Sequence, residues 1–219
     1  RQAPRAGAMS ELLFSVLGEG SSDSRLLPIL VRLTEQHTSR AVIGTWAART
    51  PRWGRTRTLV EKVAAAMRDY PGDLLFVHRD ADTQGRARRL AEIQRACAKV
   101  GVAPYVGVVP VRMQESWLLA DEEAIREAVG NPEGDQPLGL PARAVIEQHA
   151  RPKETLDEAL WRATEYPQRS RDLFESRELP SARTRVAEAL DIARLRGLTA
   201  FDALEAVLVT TLQQNGLDA

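Results

Sequence analysis

Leu12-Leu13-Phe14-Ser15-Val16-Leu17-Gly18-Glu19-Gly20-Ser21-Ser22-Asp23 is the stretch that decides the fold. Its first half is a continuous apolar run of strand length, the pattern of a strand buried on both faces. Two glycines around Glu19 then permit a tight turn. Ser21 or Ser22 offers a helix cap, and Leu26, Leu27, Leu30 and Leu33 recur at helical spacing to about His37. Pro28 lies inside this helix and is expected to bend its first turns. A buried strand, a glycine turn and a helix make one unit of an α/β sheet.

The same unit recurs downstream. Strands are expected over Ala41–Trp46, Leu74–His78 and Tyr105–Val109. Helices are expected over Thr58–Tyr70, Gln84–Val100 and Gln114–Val129, with Pro71-Gly72, Gly101 and Gly130 as stops. Four such units in a row predict an α/β fold: a four-stranded, mostly parallel sheet flanked by helices. From residue 131 to 141 the chain is rich in Pro and Gly and reads as a linker. Beyond it come only helical patterns, over about Ala142–His149, Lys153–Thr164, Ala182–Leu195 and Ala200–Gln213. The expected organisation is therefore an α/β domain over 11–130 and a helical C-terminal region over 131–219. Residues 1–10 are set aside as an N-terminal extension or cloning remnant, with Met9 as an alternative start.

Composition narrows the chemistry. Of 219 residues, 43% are hydrophobic, enough for a sizeable core, and 27% are charged, as in ordinary globular proteins. Thirty cationic side chains balance thirty acidic ones, so global charge gives no support for nucleic-acid binding. No apolar run approaches the roughly 20 residues that cross a bilayer. Arg1–Ser10 is basic, but no signal-peptide apolar region follows, so a cytoplasmic location without membrane attachment is expected. The single cysteine, Cys97, sits at an apolar helix position and reads as a small buried residue. His37, His78 and His149 form no ligand pair. A bound metal should therefore be hard and oxygen-ligated, Mg²⁺ or Mn²⁺.

Acidic residues stand where three of the strands end. Glu19 follows the first, with Asp23 four residues on; Asp80 and Asp82 follow the third in His78-Arg79-Asp80-Ala81-Asp82; Glu115 lies just past the fourth. In a parallel sheet these ends share one edge, where ligands bind. Glu19, Asp80, Asp82 and Glu115 would then converge, and a divalent cation would relieve their repulsion. Two such ions roughly 4 Å apart can activate water and stabilise the leaving oxygen in phosphodiester cleavage. Each acid also has a plainer reading. A lone Asp-x-Asp is usually a turn or cap, Asp23 a first-turn residue favoured by the helix dipole, and Asp121-Glu122-Glu123 an acidic helix surface.

Two of these stretches resemble the Toprim family. Val16–Asp23 looks like its first motif, a Glu-Gly followed by an Asp, and Leu75–Asp82 looks like its second, the Asp-x-Asp. Toprim domains occur in topoisomerases, primases and nucleases, including the overcoming-lysogenization-defect type. Val109-Pro110-Val111-Arg112-Met113-Gln114-Glu115-Ser116-Trp117-Leu118-Leu119-Ala120-Asp121 is more specifically similar to the DUF4276 group of Toprim-like bacterial proteins. The resemblance covers residues 11 to 125. It implies Glu19, Asp80 and Asp82 as catalytic and metal-site acids, with Glu115 as an additional ligand. It also implies a partner ATPase and a role in anti-phage defence. The pattern departs at His78-Arg79, which sets a cation beside the acids; Arg79 would either weaken metal binding or pair with a substrate phosphate.

Arg49, Arg52, Arg55 and Arg57 fall within nine residues that carry no acid, with Trp46 and Trp53 interleaved. Arginines neutralise phosphates and an indole stacks on a base, so this loop and Arg79 are the candidate nucleic-acid contacts. A solvated loop with one Trp in the core fits equally well. Arg86, Arg88 and Arg89 read more simply as an exposed helix face, and Trp117 as core. The leading expectation is a Mg²⁺- or Mn²⁺-dependent nuclease of DNA or RNA. The alternatives are a non-catalytic Toprim-like subunit of an ATPase complex and a phosphoryl-transfer enzyme of small nucleotides. Neither a Gly-x-x-x-x-Gly-Lys nor a Gly-x-Gly-x-x-Gly phosphate loop is present. Homo-oligomerisation stays open.

Overall fold

The computed structural model describes residues 11–54, 58–81 and 83–219. Strands β1 (Glu11–Leu17), β2 (Ala41–Trp46), β3 (Leu74–His78) and β4 (Tyr105–Val108) form one sheet in the order β2-β1-β3-β4. Every pairing is parallel, with Leu12 opposite Val42, Val16 opposite Phe76, and His78 opposite Val108. The helices between the strands are α1 (Leu26–Glu35), α2 (Leu59–Asp69) and α3 (Arg86–Val100). The chain steps from β1 outward to β2, then returns past β1 to β3. That reversal opens a crevice between the carboxyl ends of β1 and β3.

Strand alternation sorts the core into two layers. Leu12, Phe14, Val16, Leu74, Phe76, Val106 and Val108 face α1, while Leu17, Leu75 and Val77 face α2 and α3. Phe14 and Phe76 meet edge to face with centroids 4.9 Å apart. Each fully buried side chain of this kind stabilises by about 1.5–3 kcal/mol. Gly107 carries no side chain because Leu90 and Ile93 of α3 lie against it; an added Cβ would come within 2.9 Å of Leu90.

The remaining helices are α4 (Glu115–Leu118), α5 (Glu122–Ala128), α6 (Pro152–Thr164), α7 (Arg171–Arg177), α8 (Leu179–Ala189) and α9 (Thr199–Gln214). They cover the α1 side and share one continuous core with it, running from Phe14 through Trp117 to Phe201 and Leu212. Trp117 stands at right angles to Phe201, 5.5 Å away, which confirms it as core. Cys97 is buried, and burial pushes its thiol up to about 11, so it is an inert packing group. Among the described residues no helix is long and apolar enough to cross a membrane.

The expected helix over Gln114–Val129 is broken in two, and the cause is Asp121. Its backbone is extended and it caps α5 through Ala124 N–H at 3.1 Å. Its second oxygen accepts Asp191 N–H at 2.9 Å. Asp121 is thus a buried connector rather than part of an acidic surface, while Glu122 and Glu123 are exposed as expected. Pro28 does not bend a helix, because Ser21–Arg25 is a 3₁₀ turn and α1 begins only at Leu26. In the first turn its missing N–H costs nothing. The helix expected over Ala182–Leu195 runs from Leu179 to Ala189 instead, and α7 was not foreseen. Asp121→Ala removes two buried acceptors at once and should destabilise the chain by about 2 kcal/mol in urea unfolding. A change within about 0.5 kcal/mol, the range of ordinary surface substitutions, would contradict this connecting role.

Candidate functional site

The turn after β1 is organised around Asp23. Its Oδ2 accepts the N–H groups of Glu19 at 2.8 Å and Gly20 at 3.1 Å. Its Oδ1 accepts Ser22 Oγ and, across the crevice, Gln114 Nε2, both at 3.2 Å. Asp23 is buried, so its charge is held by four donors rather than by water. Gly18 is required beside it: a Cβ there would lie 2.3 Å from the Trp46 ring and 2.9 Å from Asp23 Oδ2. The dipole role expected of Asp23 understates it; it fixes the backbone that carries Glu19.

At the end of β3, His78 has the same strand parity as Leu74 and Phe76 and points into the protein, 1% exposed. Its Nδ1 donates to the Val108 carbonyl at 3.0 Å, since a carbonyl only accepts. Its Nε2 lies 3.3 Å from Asp80 Oδ1 and 3.8 Å from Asp23 Oδ2. Burial opposes a charge on this ring. The contact with Asp80, then the charges of Asp80 and Asp23 and the Val108 carbonyl, outweigh burial and raise its pKa. His78 is thus set between two carboxylates, whose charges favour its protonated form.

Glu19 and Asp80 are brought together as the sequence predicts, with Asp80 N–H donating to Glu19 Oε2 at 3.3 Å. Arg79 takes the other Glu19 oxygen at 2.5 Å and reaches Glu92 at 3.5 Å, so its guanidinium is spent on carboxylates. Glu115 opens α4 and is buried. Burial raises its pKa first; its own backbone N–H lowers it, the charge of Asp80 raises it further, and Arg25 and Lys153 lower it. Glu115 Oε2 is buried without a hydrogen-bond partner, while the buried Asp80 Oδ1 faces only His78 Nε2 at 3.3 Å. Asp82 lies outside the described residues.

The expected arginine contacts separate. Arg49 is exposed, donates to the Gly54 carbonyl at 2.7 Å, and lines a cleft that Glu19 also lines. Arg52 lines a different hollow with Arg68 and Asp69. Arg55 and Arg57 lie outside the described residues. Trp53 is buried with its indole N–H committed to Asp69 at 2.9 Å, so it is the core member of the pair, and Trp46 is half-buried at the cleft. Arg86 and Arg89 donate to the carbonyls of Val109 and Asp80, tying α3 to the strand ends. Arg112 holds the Gln148 carbonyl, and Arg183 grips Asp157 with both arms.

Sequence reasoning missed His78, Gln114 and Arg25 as members of the site. Strand parity alone would have turned His78 inward, and Gln114 adjoins an assigned acid. Nothing in the sequence marks Arg25, whose pKa burial lowers against the pull of Glu115, Asp157 and Asp23.

A hard divalent cation suits this donor set in kind, because the ligands are carboxylates and the buried Glu115 Oε2 lacks any donor. Yet among the described residues no three His, Cys, Asp or Glu side chains are grouped closely enough to hold an ion. Compared with family models, curated proteins and solved structures, the chain matches none of them.

The charge on His78 gives a signed prediction. Its folded pKa lies above the roughly 6.5 of an unfolded chain, so its stabilisation is full below about pH 6.5 and is lost as pH rises through the folded value. With chelator present, His78→Gln should cost more stability at about pH 6 than at about pH 9. An equal cost at both would show that folding does not raise the pKa of the ring.

Proposed function

We propose that the chain is a Mg²⁺- or Mn²⁺-dependent phosphodiester hydrolase of nucleic acid, DNA or RNA, with Glu19, Asp80, Asp82 and Glu115 as its metal-site acids. The observation that carries this reading is the buried Glu115 Oε2, which has no hydrogen-bond partner, beside the sheet's switch point where Glu19 and Asp80 meet. Leaving such an oxygen unpaired is costly. A cation would satisfy it.

Bound there, a divalent ion supplies positive charge against the phosphodiester oxygens and lowers the pKa of water. The chain's own groups do the rest. Asp23 holds the Gly18–Gly20 turn, so Glu19 is presented at the mouth of the crevice to take a proton from attacking water. Arg79, between Glu19 and Glu92, holds the Glu19 carboxylate in place rather than meeting a phosphate. Gln114 ties the segment before α4 to Asp23, which sets Glu115 beside the β1 turn. On the resemblance to Toprim-like nucleases, this reading extends to cytoplasmic anti-phage defence beside a partner ATPase.

One observation favours a second reading, a non-catalytic Toprim-like subunit. His78 and Arg79 already neutralise Asp23, Asp80 and Glu19 without a metal.

Cleavage of plasmid and single-stranded substrates with Mg²⁺ or Mn²⁺ separates the two. The hydrolase reading expects metal-dependent cleavage that falls more than about a hundredfold in folded Asp80→Ala and Glu115→Gln. Equal residual activity in parent and Asp80→Ala would remove the site from the chemistry. Saturable metal binding with no turnover on any nucleic acid would favour the subunit.

A further inference from the structure

Beside the acids lies a cleft of about 320 Å³, walled by the turn after β1, the end of β2 and the start of α2. We infer that it seats one unpaired nucleotide of a single strand, with the base on Trp46 and the backbone phosphates on Arg49 and Lys62. This rests on the hydrolase reading and names the form of its substrate.

Trp46 is half-buried, packed in part on the core, and its remaining surface lines the cleft. Among the described residues its ring N–H has no partner, whereas the N–H of Trp53 is committed to Asp69. The missing side chain of Gly18 is what lets the Trp46 ring lie over the turn. Such a ring is a platform for a base of any identity.

The cations complete it. Arg49 spends one donor on the Gly54 carbonyl and keeps the others. Lys62, half-buried on α2, holds no carboxylate among the described residues. This sets both apart from Arg79, Arg86 and Arg89, whose donors are bound to protein groups.

The cleft is continuous with the acids through Glu19, which lines it and accepts Asp80 N–H. A nucleotide seated there would lay its neighbouring phosphodiester at the crevice. The volume is at the lower end for ligand sites, which run from about 300 to 1,000 Å³, so it suits one base and not a base pair. The chain lacks a glycine-rich phosphate loop for a free nucleotide's terminal phosphates.

The test is binding of a labelled ten-residue oligothymidylate, its duplex and thymidine monophosphate, with chelator present so that nothing is cleaved. The other tryptophans, Trp53, Trp117 and Trp161, are buried, so stacking should quench Trp46 alone. The single strand should bind more tightly than the duplex or the mononucleotide. Trp46→Leu should abolish the quench and weaken binding about tenfold, about 1.4 kcal/mol. Trp46→Phe, which keeps core packing and a ring, should recover most of the affinity. Arg49→Ala and Lys62→Ala should each lower the salt slope by about 0.7. Equal affinity for strand and duplex, unchanged binding by Trp46→Leu, or equal binding of the mononucleotide would each overturn the inference. Metal-dependent cleavage with KM unchanged in Trp46→Leu would sink the cleft and leave the hydrolase standing. Strand binding as described without cleavage would do the reverse.

Discussion

The buried His78 ring between Asp23 and Asp80 is the contact on which the rest of the site depends. Two neighbouring carboxylates repel, and a ring that can carry positive charge between them relieves the conflict. From the end of β3 it ties the turn after β1 to the loop after β3 across the sheet's switch point. The arrangement exists only because β1 and β3 are parallel neighbours and because position 78 falls on the inward parity of its strand. Removing one member of such a buried set costs more than the contact itself is worth, since the remaining charge is stranded.

The helical C-terminal region is part of this frame. Trp117, packed on Phe201 of α9, holds α4 against the sheet, and α4 begins with Glu115. Asp121 then links α5 to the segment after α8 through Asp191. The last ninety or so residues thus wall one side of the crevice and bury Glu115, and that burial is what raises its pKa. The opposite side, between β1, β2 and α2, is left open as the cleft of Trp46 and Arg49.

Much of this was legible in the sequence, for physical reasons. Short apolar runs bounded by turn residues located all four strands to within a residue, most plainly β3, which is buried along its whole length and admits few polar residues. Strand ends then placed Glu19 and Asp80 together and put Glu115 nearby. What escaped was set by tertiary partners. Asp121 looks like helix surface until Asp191, seventy residues away, supplies its second donor. Asp23 looks like a dipole residue until Gln114 and His78 arrive from β4 and β3. The arginines near the acids look alike in sequence. Only packing shows that Arg79 and Arg89 are bound to protein groups while Arg49 keeps donors free.

The most direct test of the central claim is calorimetric titration of the parent chain and Asp80→Asn with Mn²⁺ near neutral pH. The account predicts saturable, sub-millimolar binding by the parent that is lost in the folded variant, because the Asp80 carboxylate would be a ligand. Absence of saturable binding by the parent, or equal binding by Asp80→Asn, would contradict it and leave the His78-bridged carboxylates as a purely structural device.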